Sequence, residues 1–376
     1  MITIDDFAAR FSEEPGYLNF ASAGPVGRAV IDESLAMTEL LRVARFGSIP
    51  SFWEQDLRVR EAVSALTGFP ADQVVFQPNT SSGAMHALFG LTGGLAISPA
   101  EFPTMPVTAV RAQEALRVTD VQWLETDEGR ITPGNLRDQL TKTTTAVAVS
   151  LVDFRTGYLV DLEGIRQVIG DRLLIVDAIQ GFGVVDAPFS VADVIITGGQ
   201  KWVRAGWGTG FMALSDRALE RLTPVMSGFS GTELEPGVLP IDEVPPPARS
   251  ARAYQVSNPD PIAQARFAAA LEEIADVGVA AIHDRIIDRT EAIIDLADEF
   301  GIPVVSSRSQ AERAGIVVVA PEPDQLTVLV ASLHNHGVSV TQRGTSVRIS
   351  AHASTSEETL AMLRASFLGF ASAITV

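Results

Sequence analysis

Leu173-Leu174-Ile175-Val176-Asp177-Ala178-Ile179-Gln180-Gly181, with Asp193-Val194-Ile195-Ile196-Thr197-Gly198-Gly199-Gln200-Lys201-Trp202 a short way downstream, is the stretch that decides the fold. Each half is a continuous apolar run that delivers polar residues at its downstream end, as strands buried on both faces of a sheet do. The first run presents Asp177 and the second leads to Lys201. A carboxylate and an amine on neighbouring strand ends are what pyridoxal 5'-phosphate (PLP) requires. The lysine forms a Schiff base with the aldehyde, and the aspartate pairs with the pyridinium nitrogen. That pairing keeps the nitrogen protonated, so the ring can draw electrons from a carbanion at a substrate's Cα. By themselves the two residues fit an ordinary α/β domain with polar strand ends equally well.

The surrounding chain has 376 residues, comfortable for two domains. Hydrophobic residues make up 46% and charged residues 20%, the balance of a packed globule and not of a disordered chain. With 28 basic and 46 acidic side chains the formal charge is −18, which argues against nucleic acid or an anionic membrane as partner. There is no cysteine, so disulfides, thiolate metal sites and a cysteine nucleophile are excluded. No run reaches the ~18 apolar residues that span a bilayer. Met1-Ile2-Thr3-Ile4-Asp5-Asp6 lacks the features of a signal peptide, so a cytoplasmic location is expected.

Working outward, apolar runs fall at Gln73–Phe76, Leu95–Ile97, Val121–Leu124 and Ala146–Leu151 before the deciding stretch, and at Gly210–Ala213 after it. Helical segments or turns separate most of them, which predicts an α/β fold with a mostly parallel sheet and ligands at the carboxyl ends of its strands. A short helix is expected over Asp5 to Glu14, and amphipathic helices over Val26 to Arg45 and Phe52 to Leu66. From Glu233 to Arg252 the prolines 236, 240, 245, 246 and 247 predict a long irregular segment. Beyond it lie helical stretches from Pro261 to Val277 and Val279 to Phe300. Apolar runs follow at Val304–Val305, Ile316–Val319 and Val338–Val340, with a last helix from Ser356. The pattern predicts a large domain over residues 16–245 and a smaller C-terminal α+β domain from 246–376 together with 1–15.

Several further residues bear on chemistry. Asn79-Thr80-Ser81-Ser82-Gly83 follows a predicted strand and opens a helix, so Thr80 and Ser81 are candidates to hold a phosphate; a plain helix cap is the competing reading. Phe102 is placed to stack on the pyridine ring, or to fill the core. Gln180 suits the cofactor's phenolic oxygen or nearby backbone, and Gln200 a phosphate or substrate contact. Arg348, alone in the alternating strand Ser346-Val347-Arg348-Ile349-Ser350, suits a substrate carboxylate or an ion pair, with Arg343 as a second candidate. The five histidines lack metal-ligand spacing, so no metal site is expected. Gly93-Gly94 and Gly198-Gly199 do not make a dinucleotide fingerprint.

In order along the chain, Tyr17-Leu18-Asn19-Phe20, Asn79-Thr80-Ser81, Glu101-Phe102-Pro103-Thr104, Val176-Asp177-Ala178-Ile179-Gln180-Gly181, Gly199-Gln200-Lys201-Trp202, Trp207-Gly208-Thr209-Gly210 and Val347-Arg348-Ile349-Ser350 resemble the class V aminotransferase family. That family of fold-type I PLP enzymes includes cysteine desulfurases, kynureninases and isopenicillin N epimerase-like proteins. The resemblance implies the PLP-dependent transferase fold with a seven-stranded sheet, and a homodimer whose subunits share the active site. Tyr254-Gln255-Val256-Ser257-Asn258-Pro259 is similar to a kynureninase-like segment, implying that Ser257 and Asn258 contact the other protomer's cofactor or substrate. Arg155, in Asp153-Phe154-Arg155-Thr156-Gly157, occupies a loop that borders the site in relatives; it suits a second acidic group on a substrate, or a structural ion pair.

The chain departs from the family where desulfurases carry a nucleophilic cysteine, since it has none. It also has Gln200 where many relatives have histidine and kynureninases tyrosine, and Ala353-Ser354-Thr355 where many have Tyr-Asn-Thr. The expected activity is PLP chemistry at Cα of an amino acid, with Lys201 and Asp177 catalytic. An aminotransferase comes first, a carbon–sulfur or carbon–carbon lyase or an epimerase second. A non-catalytic PLP or amine binder is the alternative of another kind.

Overall fold

All seven apolar runs between residues 73 and 214 become strands of one sheet. The computed structural model describes residues 2–234, 238–239 and 242–374. The strands are β1 (Val74–Phe76), β2 (Gly93–Ile97), β3 (Thr119–Trp123), β4 (Thr144–Ser150), β5 (Leu173–Asp177), β6 (Val194–Gly198) and β7 (Gly210–Leu214), in spatial order β1-β7-β6-β5-β4-β2-β3. β7 runs antiparallel to both its neighbours, and every other pair is parallel. This is the predicted α/β architecture.

Side chains alternate across this sheet into two separate cores. Leu174, Val176, Ile195 and Phe211 point to one face, where Val59 and Val63 of α3 (Ser48–Thr67) and Phe267 and Leu271 of α9 (Pro261–Val277) cover them. Leu173, Ile175, Val194 and Met212 point to the other, under α4 (Thr80–Phe89) and α5 (Thr104–Leu116). Burial on both faces explains why these strands read as unbroken apolar runs.

A second sheet, in order β8-β10-β9, is antiparallel and built from β8 (Ile316–Val319), β9 (Thr341–Arg343) and β10 (Ser346–Ser350). Its core joins Val317, Val347 and Ile349 to α10 (Val279–Glu299), α11 (Leu326–Asn335) and α12 (Glu357–Ile374). Two apolar runs do not become strands. Val304 makes only an isolated bridge to Val319, and within Val338–Val340 only Ser339 pairs, with Tyr17. The edge strand is instead the polar segment Thr341–Arg343, which needs no apolar face because it borders solvent.

The N-terminal helices differ in extent from their sequence patterns. α1 covers only Ile4–Ala8, started by a capping box between Thr3 and Asp6. Beyond it the chain leaves the helical path, and Phe11 and Glu13 meet Arg204 instead. α2 spans Arg28–Val43 and packs with α3 against α9. In the proline-rich segment Pro247 bridges Thr232, and a 3₁₀ turn follows at Ala251–Tyr254; Pro236 and Pro240 lie outside the described residues. Among the described residues no helix is long and apolar enough to cross a membrane.

Candidate active site

The parallel register brings the carboxyl ends of β4, β5 and β6 level. Ser150 is paired with Asp177, and Asp177 with Ile196. β6 ends at Gly198, and the turn that carries Lys201 follows. It is closed by the Ala205 N–H donating to Gly199 O at 2.8 Å and the Arg204 N–H donating to Lys201 O at 3.1 Å. Asp177 and Lys201 are therefore neighbours by topology, as a pair at adjacent strand ends must be.

Burial sets the electrostatics of this pair. Asp177 is 2% exposed, and one of its oxygens accepts from the Ile179 N–H at 3.1 Å. Desolvation pushes its carboxyl up to about 6 against the opposing effects of that bond and of the Lys201 charge. Desolvation likewise brings Lys201 down to about 8, helped by the Arg348 and Arg343 charges and resisted by Asp177. The Lys201 amine lies 5.4 Å from the centre of the Phe102 ring, and Phe102 meets Phe154 edge-on at 5.2 Å. These two rings form an apolar wall over the amine.

Thr80 and Ser81 open α4, but the cap of that helix is Asn79, whose side-chain Oδ1 accepts from the Ser82 N–H at 2.9 Å. The Thr80 hydroxyl is left free: its oxygen is buried without a hydrogen-bond partner. Ser81 shares a hydrogen bond with Thr104 at 3.2 Å. Gly198 opens onto the same space, since a Cβ there would come 2.4 Å from Gln200 Oε1 and 3.2 Å from Thr80 Oγ1. An orphaned hydroxyl, the first N–H groups of a helix and a glycine-lined space between them form a cradle for an anion.

Arg348, 1% exposed, lies on β10 of the second sheet. It donates to Phe154 O at 3.0 Å and to Ser22 Oγ at 2.8 Å, and its Nε is buried without a partner. Burial and the Arg343 charge hold its pKa down to about 10. Gln180 is engaged at both ends, accepting from Trp202 Nε1 at 2.8 Å and donating to Ala21 O at 3.0 Å. Arg155 is committed to Asp153 at 2.8 Å and to Gly129 O at 3.0 Å. Ser257 and Asn258 are exposed and stand apart from this cluster, with Asn258 in a groove beside Trp53 and Leu239.

Four groups escaped the sequence patterns. Glu101 is half-buried near Asp177, accepts from both the N–H and the hydroxyl of Ser150, and is pushed up to about 7 mainly by desolvation. Ser22 orients Arg348, and Thr341 links Ser22 to Asn19. Arg204, with φ of 60°, is clamped by Glu13 and Ser354 and lies 3.7 Å from the Phe11 ring centre. His352 is buried against Phe20, and burial holds it well below the ordinary histidine range. Among the described residues no group of three or more histidine, cysteine, aspartate or glutamate side chains could hold a metal.

A carboxylate, a desolvated amine, an aromatic wall, an anion cradle and a buried arginine around one space fit PLP and an amino acid. Comparison with known proteins agrees. The family model described as Aminotransferase class-V matches residues 53–374, and the chain belongs to that family, whose members are PLP enzymes of the transaminase or lyase kind. It is 26% identical to a kynureninase of Deinococcus radiodurans over 272 residues, which cover 69% of this chain and 64% of that protein. It is 29% identical to a probable hercynylcysteine sulfoxide lyase of Mycobacterium tuberculosis over 273 residues, 70% of this chain and 63% of that one. The chain thus spans a little under two thirds of the length of these relatives. A solved cystine C–S lyase in complex with its product cysteine persulfide shares the fold, with a TM-score of 0.83 over 94% of this chain and 97% of that chain, at 18% identity.

Proposed function

We propose that this class-V aminotransferase family member binds PLP at the carboxyl edge of the seven-stranded sheet and works on the Cα of an amino acid. The observation that carries this reading is the buried Asp177 and the desolvated amine of the half-buried Lys201 beside a helix start whose Thr80 hydroxyl has no partner among the described residues. PLP supplies, when bound, the aldehyde that takes an amine and a ring that accepts electrons from Cα.

The chain's own residues do the rest. Asp177 holds a proton at the ring nitrogen, and its burial strengthens that contact. Thr80, Ser81 and the N–H groups that open α4 bind the phosphate, with Gln200 at the side of the cradle. Phe102 covers the ring face and, with Phe154, keeps water from Lys201. Arg348 grips the substrate carboxylate with its fork held in place by Ser22 and the Phe154 carbonyl, fixing which bond at Cα stands over the ring. Lys201 moves the proton at Cα; with its pKa near 8 a useful share of the amine is neutral around pH 7.

Family base rate puts amino transfer first. The kynureninase and the probable hercynylcysteine sulfoxide lyase among the relatives favour the second reading, loss of a group from the substrate's β-carbon. Desulfuration through a cysteine of the enzyme's own is not open to this chain, which has no cysteine. The two readings separate on whether turnover needs an added keto acid. A non-catalytic binder would yield no product from any amino acid.

The proposal extends to a cytoplasmic homodimer. A groove of about 800 Å³ is lined by Leu41, Ile49, Trp53, Phe229, Val238 and Leu239, and Trp53 is 72% exposed. A second copy of this chain would cover it, and Ser257 and Asn258, at its border, would reach the partner's site.

The test is the absorbance of the purified protein between the near ultraviolet and the visible with PLP added, beside Lys201→Ala. A visible band in the wild type that borohydride removes, and that the variant lacks, is the expected result. No band in either protein would remove the function and leave the fold.

A further inference from the structure

Two arginines besides Arg348 stand at the mouth of this site, and the structure treats them differently. Arg155 and Arg343 both lie over the ring of Phe154, at 5.9 and 5.0 Å from its centre. Arg155 is neutralised by Asp153. The Arg343 guanidinium has no carboxylate and no hydrogen-bond acceptor among the described residues, in a chain where acidic side chains outnumber basic ones by 46 to 28. Arg343 closes β9 and pairs with Ser346, while Thr341 of the same strand pairs with Arg348. The alternation of strands puts Thr341, Arg343, Ser346 and Arg348 on one face of the sheet. Phe154 ties the two cations together, since its ring carries Arg343 and its carbonyl holds Arg348. Phe154 in turn leans on Phe102, beside the Lys201 amine.

Two like charges on one strand pair repel each other, and Arg343 does hold down the pKa of both Arg348 and Lys201. An anion between the two arginines would relieve that repulsion, and a single α-carboxylate on Arg348 leaves the second cation unmatched. The strongly acidic chain repels anions at long range, so a doubly anionic substrate needs a local cationic mouth to enter.

We propose that Arg343 is a specificity-determining residue of this site, and that the substrate is an amino acid with an acidic side chain. Its α-carboxylate lies on Arg348 and its side-chain anion on Arg343, against the Phe154 ring. This rests on the reading of the site as one for PLP and an amino acid. It transfers to Arg343 the second-anion role for which the loop arginine, Arg155, was the sequence candidate.

Non-reactive ligands separate the two readings. Succinate and glutarate, each with two carboxylates, and butyrate, with one, are titrated calorimetrically into the protein with and without PLP; loading is read first from the Lys201-dependent absorbance. The better of the two diacids is expected to bind about tenfold more tightly than butyrate to the wild type. Arg343→Gln should abolish that advantage while leaving butyrate unchanged, Arg343→Lys should keep part of it, and Arg348→Gln should weaken both classes. Equal affinities in the wild type, or a diacid preference that survives Arg343→Gln, would overturn the proposal. So would dissociation of a dimeric wild type to monomers on Arg343→Gln, which would place this guanidinium in a subunit contact. Failure to load PLP would sink the underlying function instead, and the PLP-free titration still reports on Arg343.

Discussion

Ser150 stands in register beside Asp177 on the adjacent parallel strand and donates from both its N–H and its hydroxyl to Glu101. A buried and a half-buried carboxyl group therefore share the floor of the site, with one serine fixing the second of them. Phe102 follows Glu101 directly, so the same serine also sets the position of the ring above Lys201.

These groups give the PLP-free protein a pH signature. Asp177 is raised from 3.8 to about 6 and Glu101 from 4.5 to about 7, so the folded state binds protons more tightly than the unfolded state. Stability contributed by each should fall as pH rises through those windows, by roughly 3 kcal/mol per group as an upper figure. Lys201 is lowered from 10.5 to about 8, so its penalty is present below pH 8 and is relieved as pH climbs toward 10.5. Urea unfolding across pH should show the acid-side slope flattened in Asp177→Asn and the alkaline slope flattened in Lys201→Met.

Thr80→Val tests the anion cradle. The threonine hydroxyl is buried without a partner, so replacing it by a methyl should leave the PLP-free protein as stable or up to ~1 kcal/mol more stable. PLP affinity should fall roughly tenfold, because the lost group has its partner only when phosphate is present. Equilibrium dialysis and urea melts measured on the same preparation separate the two effects.

Gly198→Ala approaches the cradle from the strand side. The new methyl would meet the end of the flexible Gln200 side chain at 2.4 Å, so the fold should accept it. The displaced amide and the methyl would then crowd the space in front of Thr80. Weakened PLP binding with an unchanged melting temperature is the expected outcome.

Arg204→Met addresses the support behind Lys201. The guanidinium is 1% exposed and carries the largely covered Glu13 carboxylate, to which the substitution would leave only the Ser354 hydroxyl. A loss of about 3–5 kcal/mol is expected by thermal or chemical denaturation. Arg204→Met combined with Glu13→Gln should recover a large part of it, since the unpaired charge goes too.

The seven-stranded sheet was legible because its strands are buried on both faces, so their apolar runs are unbroken. That Asp177 and Lys201 come close was legible because one closes such a run and the other lies in the turn after the next. The second sheet was harder: β9 is an exposed polar edge, while Val304, Val338 and Val340 pack against the core without extended strand pairing and Val305 is exposed. Whether Thr80 caps its helix could not be read from a run of four polar side chains, and the geometry gives the cap to Asn79. Glu101, Ser22 and Arg204 left no local pattern, because Ser22 meets Arg348 326 residues away and Arg204 meets Glu13 191 residues away. Pairings of that separation appear only once the chain is folded.

The loop at residues 17–25 joins both sheets, and this bears on the order in which the chain can fold. Leu18 hydrogen-bonds to Ser339, just before β9, and to Ser350 of β10, while Ala21 O accepts from Gln180 and Gly24 donates to Gln200 O at 2.8 Å, in the turns that follow β5 and β6. Gly24 is so close that a Cβ would lie 2.0 Å from Lys201 O. This loop thus waits for β10, 332 residues later, before its seat exists. Contacts of that sequence separation form slowly, because the closure entropy precedes any reward. The seven-stranded sheet can assemble ahead of them, and the turn bearing Lys201 acquires its final backing only when the last strand arrives.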